Sequence, residues 1–286
     1  MIGKTRHVDE DPMVEPLSSP LALVGQGCGV LRHSPPPGSY RHTRYAPPDE
    51  LSGWVEHFWL EAWQFRDSAS QTREMLPYPS VHLVFAPGRS RIYGIQLGRF
   101  VRELKDNGRI LGIKFRPGAF YPFLRKPVCS IANGSILAAQ VFSNVANTEA
   151  AVLGCRDDRG MVEMAAQFLA ANLPPRDPNV ETARSAVEVI AKDRNMTRVQ
   201  ELAAQVGATE RTVQRLFRRY VGASPRWVIK RYRVYEALEQ LTDGRPADLA
   251  NLAQNLGYFD QAHFINDFKK LVGRAPTEYA DLSGPS

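Results

Sequence analysis

F-R-R-Y-V-G-A-S-P at residues 217–225 and F-K-K-L-V-G-R-A-P at residues 268–276 are one phrase written twice. Each copy reads Phe, two basic residues, any residue, Val-Gly, two more residues and Pro, and the copies begin 51 residues apart. Ahead of the first copy, Val199, Leu202, Ala203 and Val206 form an apolar stripe at helical spacing. Gly207 ends that helix, and Thr209 caps a second one that buries Val213, Leu216 and Phe217. Ahead of the second copy the plan recurs: Leu249, Leu252, Ala253 and Leu256 make the stripe, Gly257 turns the chain and Asp260 caps. Phe264, Phe268 and Leu271 then supply the core face of the following helix. The pattern predicts two helix-turn-helix units in tandem, each built to push one helix into a major groove of DNA. A long helix from Pro225 to about Leu241 joins them.

The faces left outside the two cores differ. The first unit exposes Arg211, Thr212, Gln214, Arg215 and Arg218; Arg and Gln make bidentate contacts to guanine and adenine edges. The second exposes Gln261, Ala262, Ile265 and Asn266, followed by Lys269 and Lys270, and is poorer in base-reading groups. From Arg211 to Arg233 there are eight basic residues and no acidic one, so the expected phosphate contacts include Arg218, Arg219 and Lys230, with Lys269 and Lys270 in the second unit. The first unit is expected to carry more of the sequence discrimination. The second is expected to rely on Gln261, Asn266, apolar contact with thymine methyls and phosphate anchoring.

L-A-A-Q-V-G-A-T-E-R-T-V-Q-R-L-F-R-R-Y-V-G-A-S-P (202–225) and L-A-Q-N-L-G-Y-F-D-Q-A-H-F-I-N-D-F-K-K-L-V-G-R-A-P-T-E-Y (252–279) together resemble the AraC/XylS family of bacterial transcriptional regulators. The resemblance covers about residues 178–282. It implies a seven-helix DNA-binding domain whose two heads enter successive major grooves on one face of the duplex. It also places base reading on Arg211, Gln214 and Arg215 in one head and on Gln261, Ala262, Ile265 and Asn266 in the other. Two positions depart from the family pattern: Asn266 stands where Arg is frequent, and Asp267 where a small residue is common. More loosely, W-V-E-H-F-W (54–59) and G-I-K-F-R-P-G-A-F-Y-P-F-L (112–124) are similar to a β-rich N-terminal domain found in a subgroup of these regulators, which implies a sensing or dimerising role.

Composition sets the outer bounds. A chain of 286 residues suits two domains, and 43% hydrophobic with 23% charged residues is ordinary for a globular protein. The net charge of +6 permits a polyanionic partner. Cys28, Cys129 and Cys155 are odd in number and widely spaced, which points away from a disulfide framework or zinc knuckle and toward a reducing cytoplasm. No apolar run approaches about 18 residues and the N-terminus lacks a signal-type apolar region, so neither membrane nor export is expected.

Residues 1–45 read as weakly ordered around the Ser34–Ser39 proline run. Residues 46–172 read as a β-rich sensor or dimerisation domain ending in helices. Strand candidates are 55–60, 81–85, 91–97 and 109–115, separated by turn signals at Pro87-Gly88, Asn107-Gly108 and Pro117-Gly118. Met161, Met164, Ala165, Phe168 and Leu169 mark an amphipathic helix. Leu173–Pro178 is a proline-rich linker, and 179–282 is the DNA-binding domain. The expected class is therefore α+β: a barrel- or sandwich-like first domain, then an all-α domain with two helix-turn-helix units.

Trp54, His57, Trp59, Arg116 and Tyr121 are the candidates for an effector pocket, Arg116 for an anionic one. No metal-ligand spacing, nucleophile elbow or phosphate loop stands out, so no cofactor, no metal and no catalysis are expected. Double-stranded DNA is the expected partner; RNA polymerase enters through the resemblance, and the sequence admits a small-molecule effector and a homodimer. The alternative is a ligand-binding or catalytic β domain carrying an accessory DNA-binding domain.

Overall fold

The computed structural model describes residues 38–65, 70–242 and 248–283. Strands β1 (Gly38–Tyr45), β2 (Val55–Phe65), β3 (Ser70–Met75), β4 (His82–Phe85), β5 (Arg91–Tyr93), β6 (Phe100–Lys105), β7 (Asn107–Phe115) and β8 (Ser135–Leu137) build the first half. Six of them pair antiparallel in the order β1-β2-β7-β4-β5-β8, while β3 and β6 form a separate two-stranded ribbon. In β2 alternate residues take opposite faces. Phe58 and Leu60 enter the main core; His57, Trp59 and Glu61 turn the other way, toward a cavity. Helices α1 (Tyr121–Leu124), α2 (Val145–Gly154) and α3 (Asp158–Ala171) follow. The expected stripe on α3 packs on this sheet, with Met161, Ala165, Phe168 and Leu169 buried against Phe85 and Leu111.

Strand β1 corrects the expectation of weak order up to residue 45: Gly38–Tyr45 pairs along its whole length with β2. Its reason is long-range. Asp158 at the start of α3 is buried, and Arg41, Thr43 and Tyr45 of β1 all reach it, as does Arg109 of β7. The Arg41 hydrogen bond holds the Asp158 carboxyl below its usual range. Residues 1–37, with most of the proline run, lie outside the described residues. The Asn107-Gly108 turn is also corrected, because both residues lie within β7 and the turn is made by Asp106 at φ 54°. Gly108 lacks a side chain where the Trp63 indole crosses the strand.

Among the described residues, seven α-helices follow from Pro178 on: α4 (Pro178–Lys192), α5 (Val199–Gln205), α6 (Glu210–Leu216), α7 (Pro225–Thr242), α8 (Leu249–Asn255), α9 (Gln261–Val272) and α10 (Pro276–Ser283). They form two apolar clusters. One gathers Leu202, Val213 and Phe217 around α4 and the start of α7; the other gathers Leu252, Phe264 and Phe268 around the end of α7. The first cluster is not purely helical, since Ile95 from the β half is wholly buried in it. Further ties bind the halves: Trp227 Nε1 donates to the Leu97 carbonyl at 2.9 Å, and Glu74 pairs with Arg274 at 3.0 Å.

Candidate nucleic-acid interface and a cavity in the β half

In the first head, Thr209 caps α6 by accepting from the Thr212 backbone N–H at 3.2 Å. With Val213 and Phe217 buried, Arg211, Thr212, Gln214, Arg215 and Arg218 all stand exposed. In the second head, Asp260 caps α9 by accepting from the His263 N–H at 2.7 Å, and Gln261, Ala262, Asn266, Lys269 and Lys270 are exposed. Ile265 departs from the expected set: it is half-buried and packs against the second core. Phe259, just before the cap, is 95% exposed, an apolar ring in water beside the start of α9. Nothing in its spacing distinguished it from the Tyr258 beside it, which is buried.

Several expected phosphate ligands are already engaged. Arg219 donates through Nε and Nη2 to the Tyr121 hydroxyl and lies 4.7 Å from that ring. Lys230 pairs with buried Asp267 at 2.7 Å, which ties α9 to α7. Within the basic run, Arg231 and Arg233 are buried as well. Arg231 is 1% exposed, donates to the Pro77 carbonyl and packs against Tyr78 and Tyr235, while Arg233 donates to the Leu256 carbonyl over the Tyr258 ring. The uncommitted surface charge is thus narrower than the sequence run: Arg211, Arg215, Arg218 and Arg226 are exposed, and Arg219 is exposed but held by Tyr121.

The expected effector residues divide. His57 and Trp59 line a cavity of about 390 Å³ between the sheet, the β3-β6 ribbon and the Leu76–Ser80 segment. Trp54, Arg116 and Tyr121 do not line it. Trp54 packs edge-on against Phe123 in the core with centroids 5.4 Å apart, Arg116 Nε donates to the Ser52 carbonyl, and Tyr121 serves the contact with Arg219. Residues without a sequence signal complete the walls, among them His42, Arg44, His82, Arg91 and Lys114. Tyr235, on the helix that joins the two heads, also lines the cavity. Burial and then the charge of Lys114 pull His57 down to about 2 and His82 to about 3, so both imidazoles are neutral. Burial likewise lowers Lys114 to about 8, against the attraction of Glu56 at 2.8 Å. Among the described residues, no group of three or more His, Cys, Asp or Glu is placed to hold a metal ion. No helix of the described residues is long and apolar enough to cross a membrane.

Two family models match separate parts of the chain. Residues 202–281 match the family model of a helix-turn-helix domain, and residues 43–136 match a domain of unknown function, DUF6597. No curated protein matches the chain. Among solved structures, a probable AraC family transcriptional regulator from Rhodopseudomonas palustris is 27% identical, covering 37% of this chain and 99% of its own, with a TM-score of 0.34. ToxT from Vibrio cholerae is 12% identical over 80% of this chain and 99% of its own, with a TM-score of 0.37. The DNA-binding domain of AdpA, solved in complex with a target DNA, is 24% identical over 37% of this chain and 93% of its own, with a TM-score of 0.30. The matched helix-turn-helix domain spans both heads and stands behind a β-rich first half, an arrangement similar to that of the AraC/XylS family of DNA-binding transcriptional regulators.

Proposed function

We propose that this regulator responds to an effector and holds DNA through two successive major grooves. On this reading residues 46–172, extended by β1, form the sensing or dimerising unit, 173–178 link it, and 179–282 bind DNA as a linear, non-palindromic site. Arg211, Thr212, Gln214 and Arg215 read bases in one groove; Gln261, Ala262 and Asn266 do so in the other, with Phe259 adding apolar contact to thymine methyls. Arg218, Lys269 and Lys270 hold phosphates. Arg219 and Lys230 join them only where their present partners release them. RNA polymerase in a bacterial cytoplasm is the partner this role requires, and the β half is the candidate surface for a homodimer.

One helix carries the effector reading. α7 packs into the cores of both heads, and its Tyr235 is part of the cavity wall, with Arg231 one turn before it held against Tyr78 and the Pro77 carbonyl. A molecule filling the cavity would press on the element that sets the spacing of the heads, which is the differential contact that coupling demands.

Footprinting of the full-length protein on a site selected from random DNA tests the two-groove part. Two protected stretches about one helical turn apart on one face are expected; a single stretch refutes it. Val84→Trp, which fills the cavity floor, tests the effector part and is expected to shift DNA affinity while the protein stays folded by thermal unfolding. An unchanged affinity in the folded variant removes the effector role.

A further inference from the structure

Strand register lays out the cavity face in rows. In one, Arg44 on β1 stands opposite Trp59 on β2, Trp59 opposite Gly112 on β7, Gly112 opposite Val84 on β4, and Val84 opposite Arg91 on β5. A side chain at Gly112 would overlap the Trp59 indole, so the ring lies across that position. Trp59, Val84 and Ile110 form an apolar cluster of their own, apart from the main core. The row is therefore hydrophobic in the middle and ends in a guanidinium on each side.

The charge around this floor does not balance. Glu61, a carboxylate on the wall, is engaged by Arg102 at 3.2 Å, and Lys114 is engaged by Glu56. Arg44 and Arg91 have no carboxylate within ion-pair distance among the described residues. Arg44 donates through Nε to His42 Nε2, and Arg91 donates to the Ser135 hydroxyl and carbonyl. Burial first, and then the charges of Lys114 and Arg44, keep His57 and His82 neutral, so neither imidazole adds to the positive charge of the wall. Ser80, also on the wall, is buried, and its hydroxyl has no hydrogen-bond partner among the described residues. Unneutralised cations and an unused hydroxyl around an apolar floor are what an acidic ligand would satisfy, because attraction to a guanidinium strengthens as water is excluded.

We propose that the cavity binds a small organic anion, its acidic group held by Arg44 or Arg91 and its hydrocarbon or aromatic body lying over Trp59 and Val84. The proposal rests on the effector reading for its biological role and adds the chemical class of the ligand. A guanidinium fork matches carboxylate, sulfonate and phosphate alike, and a volume of about 390 Å³ accommodates a two- or three-ring molecule.

Two fluorescent probes with one hydrocarbon skeleton test it on the full-length protein. 1-Anilinonaphthalene-8-sulfonate carries the anion, and N-phenyl-1-naphthylamine does not. The anionic probe is expected to bind about tenfold tighter or better, the scale of a charged hydrogen bond. The double variant R44Q/R91Q is expected to erase that advantage while the neutral probe binds as before. Val84→Trp is expected to exclude both, which ties binding to the cavity. Equal affinities, an advantage that survives in R44Q/R91Q, or anionic binding that survives in V84W each overturn the proposal, as does failure of both probes to bind. DNA affinity measured alongside separates the two readings. A neutral probe that alone binds and shifts DNA affinity keeps the effector role and sinks the anion. An anionic probe that binds as expected without moving DNA affinity keeps the ligand class and sinks the effector role.

Discussion

The two heads share a phrase but not a structure. In the first, the Gly222 N–H reaches back to the Phe217 carbonyl at 2.7 Å, closing a wide π turn over Phe217–Val221. In the second, the Gly273 N–H reaches the Lys269 carbonyl at 2.8 Å, an ordinary α-helical closure. Both glycines are left-handed, at φ 92° and 87°, as the phrase requires. The wide turn coincides with the docking on the β half, where Arg219 meets Tyr121 and Ile95 enters the first core, and with a tie to the linker, where Tyr220 donates to Asp177 at 2.7 Å. The second head touches the β half through Arg274 and Glu74, and its Asp267 ties it inward to α7. Repetition in sequence thus marks a common scaffold, while the surroundings divide: the head that exposes more Arg and Gln is also the head most tightly held by the β half.

Glycine replacement should expose this difference most strongly. Gly222→Ala is expected to cost about 2–4 kcal/mol of stability, because a left-handed alanine adds strain and its Cβ would come within 2.8 Å of Val128 and 3.2 Å of its backbone. Gly273→Ala carries the same strain but meets the flexible side chain of Arg99, so about 1–2 kcal/mol is expected. Urea unfolding of the two variants measures the gap, and equal losses would mean that both heads dock alike. Arg215→Ala comes next, at about 1–3 kcal/mol on the selected site with relaxed preference at one base. Equal losses on specific and nonspecific DNA would make Arg215 a phosphate clamp and erase the asymmetry of reading.

Lys269→Ala should weaken all sequences alike and lower the salt slope by about one unit. A titration of affinity against salt that keeps its slope would remove Lys269 from the phosphate set. Phe259→Ala is the mildest, at about 0.5–1 kcal/mol on thymine-containing sites, with thermal stability nearly unchanged because the ring is 95% exposed. Loss of stability without loss of binding would show that the ring serves the fold instead of the groove.

What could be read from the chain alone was whatever depends on near neighbours. The stripes of α5 and α8, the caps Thr209 and Asp260, and the glycine stops are all settled within about one or two helical turns, where period and cap chemistry act. Four of the strands were legible for the same reason, from runs of apolar and β-branched residues. β1 was not, because its Arg41, Thr43 and Tyr45 answer to Asp158, more than a hundred residues away.

The site divides along the same line. Exposed Arg211, Gln214 and Arg215 follow from helical period. By contrast, the engagement of Arg219 by Tyr121, of Lys230 by Asp267 and of Arg231 by Pro77 depends on partners that only folding brings near. Among the effector-pocket candidates, His57 and Trp59 share the cavity because they are two apart on β2, whereas Trp54, Arg116 and Tyr121 lie off its register. Sequence alone determined that there are two helix-turn-helix heads and, Ile265 apart, which faces they show, since both follow from local periodicity. Only the tertiary structure decided which cations remain free and that the linking helix forms part of the cavity wall, because charge pairing and enclosure are properties of residues distant in the chain.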